Sequence, residues 1–359
     1  MKTPNIQLNN NIVNMLSIID EFKGEWKALK EMQPDVLTSL KKIATIESVG
    51  SSNRIEGNKL SNKEIESLLS NLKSTSFKSR DEEEVIGYAR LSDLVFNDYE
   101  IIPFTENYIK QMHKILLEYS SKDEKHRGEY KTLSNSVSAF DENGKEIGIV
   151  FETATPFDTP HLMKELIDWT NNTLKNRILH PIITIAIFVV NFLAIHPFQD
   201  GNGRMSRILT NLLLLKAGYN YIPYSSLEAV IEDNKSAYYL ALRQTQSTLK
   251  KSNSNYDAWI DFFVKSLEKQ KIRLEYKIEH ISDHNSIILD DNNIDLNSLP
   301  ITATKILDLF NKASRIDISY IKDNIDDSEG KIKRSLLLLQ KKNIIKKYGT
   351  TKGCWYVKL

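Results

Sequence analysis

Apolar residues recur every three or four positions along most of this chain, and strict apolar–polar alternation is rare. That spacing predicts helices over residues 10–32 and 35–49 ("DVLTSLKKIATIESV"), then over 81–98, 105–120 and 158–175. In "SNKEIESLLSNL", Ser61 and Glu64 stand at capping-box spacing ahead of another amphipathic helix. Residues 182–195 are apolar on every side and predict a central, fully buried helix. "RMSRILTNLLLLKAG", closed by Gly218, "EDNKSAYYLALRQTQS" and "YDAWIDFFVKSLEKQKIRLEYKIEH" supply three more.

One segment departs from the helical period. "SNSVSAFDENGKEIGIVF" places Asn143-Gly144 between two short strand-like runs, a β-hairpin pattern just upstream of the central helix. "HNSIILDDNNIDLNSLP" is polar, rich in Asn and Asp, and ends in proline, which marks a linker. After it, "TATKILDLFNKA", "DISYIKDNI" and "SEGKIKRSLLLLQKKN" read as helices, and "IIKKYG" and "CWYVKL" as two strands. Three helices and a terminal hairpin predict a small winged helix-turn-helix domain. The expected organisation is mainly α: an N-terminal helical region (1–100), a core (101–283), a linker (284–296) and the winged-helix domain (297–359).

Composition narrows the function. Lys and Arg number 48 against 47 Asp and Glu, so a polyanionic partner must rest on a local patch. The single cysteine, Cys354, excludes an internal disulfide and a cysteine-built zinc site. The N-terminus lacks a signal-peptide pattern, and the run 182–195 contains Asn191 and is too short to span a bilayer. A soluble, cytoplasmic protein is expected, with no membrane partner.

Chemistry concentrates in "HPFQDGNGRMSR", residues 196–207. Gly201 and Gly203 permit positive φ and close approach of backbone amides to a ligand. A helix starting near Asn202 aims its N-terminal amides and dipole at the same point, an anion site suited to phosphate. Arg204 and Arg207, three apart, add two forked donors on one face. Asp200 would be repelled by a phosphate unless a cation such as Mg²⁺ bridged them. His196 is the group here able to take a proton near neutral pH. There is no P-loop motif, and no second histidine stands at zinc-ligand spacing.

At every fixed position this stretch resembles the signature of the Fic (filamentation induced by cAMP) family, His-Pro-Phe-x-Asp-Gly-Asn-Gly-Arg-x-x-Arg, and the resemblance extends over roughly residues 35–275. It implies a Fic-type helical bundle with a hairpin flap, and transfer of AMP from ATP to a hydroxyl side chain of a target protein. By that resemblance His196 is the base and Asp200 holds Mg²⁺ on the α- and β-phosphates. Residues Gly201, Asn202, Gly203, Arg204, Met205, Ser206 and Arg207 line the phosphates, with Arg207 on the γ-phosphate. The hairpin, 135–151, aligns the target segment by strand addition. "EDNKSAYYLALRQ" resembles the segment that closes on the adenosine, which points to Tyr239 together with Tyr238.

"SSNRIEGN" is similar to the family's inhibitory motif, Ser/Thr-x-x-x-Glu-Gly/Asn, with Ser52, Glu56 and Gly57 at the fixed positions. The implication is self-inhibition in which Glu56 pairs with Arg207 and keeps it from the γ-phosphate. In the last domain, residues 331–347 hold seven basic residues and no acid, a stripe that suits nucleic-acid backbone, although winged helices also dock proteins or dimerise. The expected function is therefore an autoinhibited, Mg²⁺-dependent adenylyltransferase that also modifies itself and can form a homodimer. The alternative is a DNA-binding regulator whose nucleotide site senses a ligand. Relatives that move another phosphate-containing group or remove AMP leave a third possibility.

Overall fold

The computed structural model describes residues 3–4, 6–32, 34–71, 77, 79–140, 146–249, 254–281, 300–310, 315–325, 327–341, 344–348 and 355–358. The chain divides into two compact units, Met1–Ile287 and Ile288–Leu359.

The first unit is built on helices α1 (Asn10–Met32), α2 (Pro34–Ile55), α3 (Asn62–Ser70), α4 (Arg80–Asp98) and α5 (Glu106–Leu116). Strands β1 (Ser136–Phe140) and β2 (Glu146–Glu152) follow, then α6 (Thr159–Lys175), α7 (Pro181–Ile195), α8 (Asn202–Lys216), α9 (Leu227–Asp233), α10 (Lys235–Leu249) and α11 (Asp257–Ile281). The capping box at α3 forms as its sequence predicts: Ser61 N–H donates to Glu64 Oε2 at 2.8 Å, and Ser61 Oγ accepts from the Glu64 amide. α7 is the central rod, buried along nearly its whole length and packed against α6, α8 and α11. Pro181 opens it at a position that needs no amide, and Pro197 stops it.

Three boundaries differ from the sequence prediction. α2 runs six residues beyond 49, to Ile55, through "GSSNRI". Its Gly, Ser and Asn residues are weak helix formers, but Gly50 packs so closely on Arg54, Asn62 and Ile65 that tertiary contact overrides propensity. α5 stops at Leu116 instead of 120. The helix expected from 232 splits at Asn234: Glu232 and Asp233 belong to α9, which begins at the Ser226 cap, and α10 starts at Lys235.

β1 and β2 pair antiparallel from Ser136↔Glu152 to Phe140↔Glu146, with two register shifts between. The predicted Asn143-Gly144 turn lies outside the described residues, as does the predicted linker.

The second unit contains α12 (Ile301–Leu309), β3 (Ile316–Asp317), α13 (Ile318–Asn324), α14 (Glu329–Lys341), β4 (Ile345–Tyr348) and β5 (Trp355–Lys358). Its strands form an antiparallel sheet of order β3-β5-β4. The three expected helices and terminal hairpin are present, and the short β3 is an addition. Ile332, Leu336 and Leu339 bury one stripe of α14 against Ile306, Ile321 and Tyr356.

Candidate functional site

The polar cluster sits where α7 ends and α8 begins. His196 caps α7 in the left-handed region (φ 53°, ψ 60°), its amide donating to Phe192 O at 2.8 Å. Asn202 then closes the loop on itself: Phe198 N–H donates to Asn202 Oδ1 at 2.9 Å and Asn202 Nδ2 to Phe198 O at 2.8 Å. Gly201, at φ 77°, turns the chain into α8 and gives the helix no side-chain cap. The first-turn amides of Asn202, Gly203 and Arg204 therefore lack a helical acceptor, an arrangement able to seat an anion. The Gly201 amide is engaged by Asp200 Oδ1 at 2.6 Å, and the Met205 amide by Gly201 O at 2.9 Å. Of the expected phosphate-lining residues, Met205 and Ser206 turn away: Met205 is in the core, and Ser206 Oγ donates back to Gly203 O at 2.7 Å.

The chain's own carboxylate stands beside this turn, held by Arg207. Arg207 Nη2 donates to Glu56 Oε1 and to Ser52 O, each at 2.8 Å, and Arg207 Nε donates to Ser52 Oγ at 2.8 Å. A Cβ added at Gly203 would fall 2.1 Å from Glu56 Oε1, so only glycine lets that carboxylate press against the first turn of α8. Burial favours the neutral acid, but Arg207, with Arg204 and His196 nearby, outweighs it and holds Glu56 below the usual carboxylate range. Gly57, at φ 100°, ends the helix just past Glu56. The tip of α2 is tied down next to it: Arg54 forks onto Glu232 at 2.7 and 2.9 Å.

On the other side lies a closed alternation of charge. Arg80 Nε bonds Glu84 Oε1 at 2.8 Å, and Arg80 Nη2 bonds Asp200 Oδ2 at 3.3 Å. Arg204 completes the ring, 3.3 Å from Glu84 and 3.6 Å from Asp200. Arg204 is 2% exposed, and its Nε makes no hydrogen bond among the described residues, a donor suited to an incoming anion. Asp200 offers one hard carboxylate, 32% exposed, just ahead of these amides in the chain. Among the described residues no group of three or more His, Cys, Asp or Glu gathers to cage a metal. One exposed carboxylate can hold a hard cation such as Mg²⁺ only when a ligand's own oxygens complete the shell.

His196 is half-buried. Burial, with the Lys131 charge adding to it, lowers its pKa to about 4 against an opposing bond to Leu193 O, so the ring is neutral at pH 7. His113 supports the loop from below. It stacks on Phe198 with ring centroids 3.8 Å apart, accepts the Gly128 amide at Nδ1 (2.9 Å), and so donates from Nε2 to Asp200 O at 3.0 Å. His113, Arg80, Glu84 and Lys131 were not legible as site residues, because each stands alone in its local sequence. The two tyrosines part company. Tyr238 is buried in an aromatic cluster with Trp259 and Phe262, its hydroxyl beside Arg207 and Ser206. Tyr239 is 38% exposed, its hydroxyl 3.5 Å from Ile55 O.

In the second unit the basic stripe is partly neutralised. Lys322 and Lys333 each pair with Glu329 at 2.7 Å, and Lys331 lies 3.7 Å from Asp327. Among the described residues no helix is long and apolar enough to cross a membrane.

The Fic/DOC family model matches residues 103–214. The protein adenylyltransferase Fic of Drosophila mojavensis is 30% identical over 206 residues, 57% of this chain and 38% of the relative. That of Drosophila grimshawi is 29% identical over 222 residues, 60% of this chain and 43% of the relative. The chain thus spans less than half the length of these curated relatives. A Fic domain containing signaling protein from Bacteroides thetaiotaomicron aligns with TM-score 0.59 and 26% identity, covering 76% of this chain and 99% of that one. A Fic family protein from Desulfovibrio desulfuricans shares the fold over 100% of this chain and 98% of its own, with TM-score 0.62 and 21% identity.

Proposed function

The chain belongs to the Fic/DOC family, and we propose that it is a self-inhibited protein adenylyltransferase moving AMP from ATP to a Ser, Thr or Tyr hydroxyl of a target protein, and to itself. The observation that carries this reading is the Glu56 carboxylate lodged on Arg207 and against Gly203, at the first turn of α8 and beside a neutral histidine.

In the transfer step the target oxygen bonds to the α-phosphorus, and the bond from that phosphorus to the oxygen bridging to the β-phosphorus breaks. Pyrophosphate leaves, and the hydroxyl proton passes to His196 Nε2. Nδ1 of His196 faces Leu193 O at 3.3 Å, a group that only accepts, so Nδ1 carries the hydrogen and Nε2 keeps the lone pair. The amides of Asn202, Gly203 and Arg204 and the Arg204 guanidinium hold phosphate oxygens. Arg207 takes the γ-phosphate once Glu56 has left it, and Tyr239 borders the adenosine. A Mg²⁺ held by Asp200 would supply charge neutralisation of the departing pyrophosphate. The β1–β2 hairpin presents an edge along which a target segment aligns. The second unit, a winged helix with a mixed-charge face, fits protein docking better than nucleic-acid binding.

Incubation with α-labelled and γ-labelled ATP tests the reading. Label retained on protein from α-labelled ATP alone is expected; label from γ-labelled ATP would make the enzyme a phosphotransferase, and neither label would remove the transfer.

A further inference from the structure

Lys131, whose charge bears on His196, has no part in the transfer step, yet it is only 3% exposed. Burying an ammonium is costly unless each donor finds an acceptor. Here all three do: Asn135 Oδ1 at 2.8 Å, Thr153 Oγ1 at 2.9 Å and Ile195 O at 2.9 Å. Asn135 is the residue before β1 and Thr153 the residue after β2, and they bond to each other through Thr153 Oγ1 to Asn135 O at 2.8 Å. Ile195 O lies at the negative end of α7, which favours a cation. The Lys131 amide donates to Pro197 O at 2.8 Å, so one residue brackets His196 on both sides along the chain. Asn135 Nδ2 extends the cluster to Phe198 O at 2.9 Å.

We propose that Lys131 is a positioning residue that fixes the hairpin's two feet against the loop bearing His196, so that a hydroxyl carried along the hairpin arrives at Nε2 of that histidine. The geometry explains why a cation is needed: one ammonium reaches three oxygens from three chain segments, which no neutral side chain can do. Burial lowers the Lys131 pKa to about 8, which leaves it mostly charged at neutral pH. The inference rests on the reading of the hairpin as the target-aligning element, and its test separates the two.

The test uses full-length Lys131→Met, with Thr153→Val as a second variant that removes one of the three bonds and keeps the charge. Mg²⁺-ATP affinity by calorimetry should stay within about twofold in both, because Lys131 touches no phosphate-seat residue. Hydrogen exchange in Lys131→Met should quicken together at 136–140, 146–152 and 195–198, with the same pattern, weaker, in Thr153→Val. Auto-modification, measured in each variant combined with Glu56→Gly, should fall on the order of 100-fold for Lys131→Met, the usual cost of misplacing reactants. The ring of His196 faces Lys131, Glu56 and Asp200 as its charged neighbours, so its titration by NMR should move upward in Lys131→Met. If the hairpin loosens while 195–198 keeps its protection, or if neither changes, the coupling is wrong. If exchange quickens in both segments but the Glu56→Gly parent itself transfers no AMP, the positioning stands and the adenylyltransferase reading fails.

Discussion

Replacing Glu56 with Gly should raise the initial rate of auto-AMPylation roughly 10- to 100-fold, and the size follows from the contacts it breaks. Glu56 gives Arg207 one charge-assisted hydrogen bond of 2.8 Å. Such bonds contribute about 1.5–3 kcal/mol, and the lower end applies because the Glu56 side chain is 34% exposed. About 1.4 kcal/mol is a tenfold change in an equilibrium, so the pair alone holds the site closed by roughly tenfold. Removing the carboxylate from Gly203 also ends its repulsion of an incoming phosphate, which raises the gain further. Arg207 should not collapse when its partner goes, since two bonds to Ser52 keep the guanidinium in place. The assay is initial-rate labelling from α-labelled ATP at saturating Mg²⁺, with ATP affinity measured alongside. Glu56→Gln, which keeps an accepting oxygen without the charge, should lie between wild type and Glu56→Gly. A Glu56→Gly rate within twofold of wild type would refute the reasoning, and so would Glu56→Gln matching wild type while ATP affinity rises in neither.

His196→Ala should abolish transfer and leave ATP binding within about threefold if, as proposed, the ring acts on the attacking hydroxyl; undiminished labelling would remove it from the reaction. Asp200→Ala should weaken ATP binding in the presence of Mg²⁺ but not with metal chelated, which titration calorimetry reads directly. Arg54→Ala, by freeing the tip of α2 from Glu232, should raise auto-labelling in the same direction as Glu56→Gly but less, and a fall would contradict the tie. His113 and His196 both have folded pKa values of about 4 against an ordinary 6.5, so the unfolded chain binds more protons between those limits. Their stabilisation is complete above pH 6.5 and is lost as pH falls towards 4. For the fully buried His113 the loss from pH 7 to 5 should be about 2 kcal/mol, seen as a lower denaturant midpoint and abolished in His113→Gln if that variant folds. The acid limb of the pH–rate profile should likewise lie below pH 5, where His196 begins to protonate.

The loop between α7 and α8 was legible because its chemistry is contiguous: a proline that stops α7, a glycine that turns into α8 and two arginines on one helical face all act within twelve residues. Glu56 was legible through its motif spacing, although the helix carrying it runs past the point where periodicity ends. The supports were not. Lys131 meets Ile195 from 64 residues away and Arg80 meets Asp200 from 120, and nothing local distinguishes them from solvated charges. Tyr238 and Tyr239 show the same limit on a smaller scale. Neighbours on a helix point about 100° apart, so both cannot face one ligand, and only tertiary packing decides which enters the core.

Three guanidinium groups border the proposed phosphate seat, and each already faces a carboxylate: Arg80 and Arg204 share Glu84 and Asp200, and Arg207 has Glu56. Seen from a Debye length away, such a cluster is nearly neutral, so it exerts little pull on polyanions diffusing past. Inorganic phosphate, nucleic acid and nucleotides gain no electrostatic steering towards it, and capture is decided only after contact, by exchange of partners. ATP association should therefore depend weakly on ionic strength in the wild type and more steeply once Glu56 is removed, when the seat acquires a net positive field of its own.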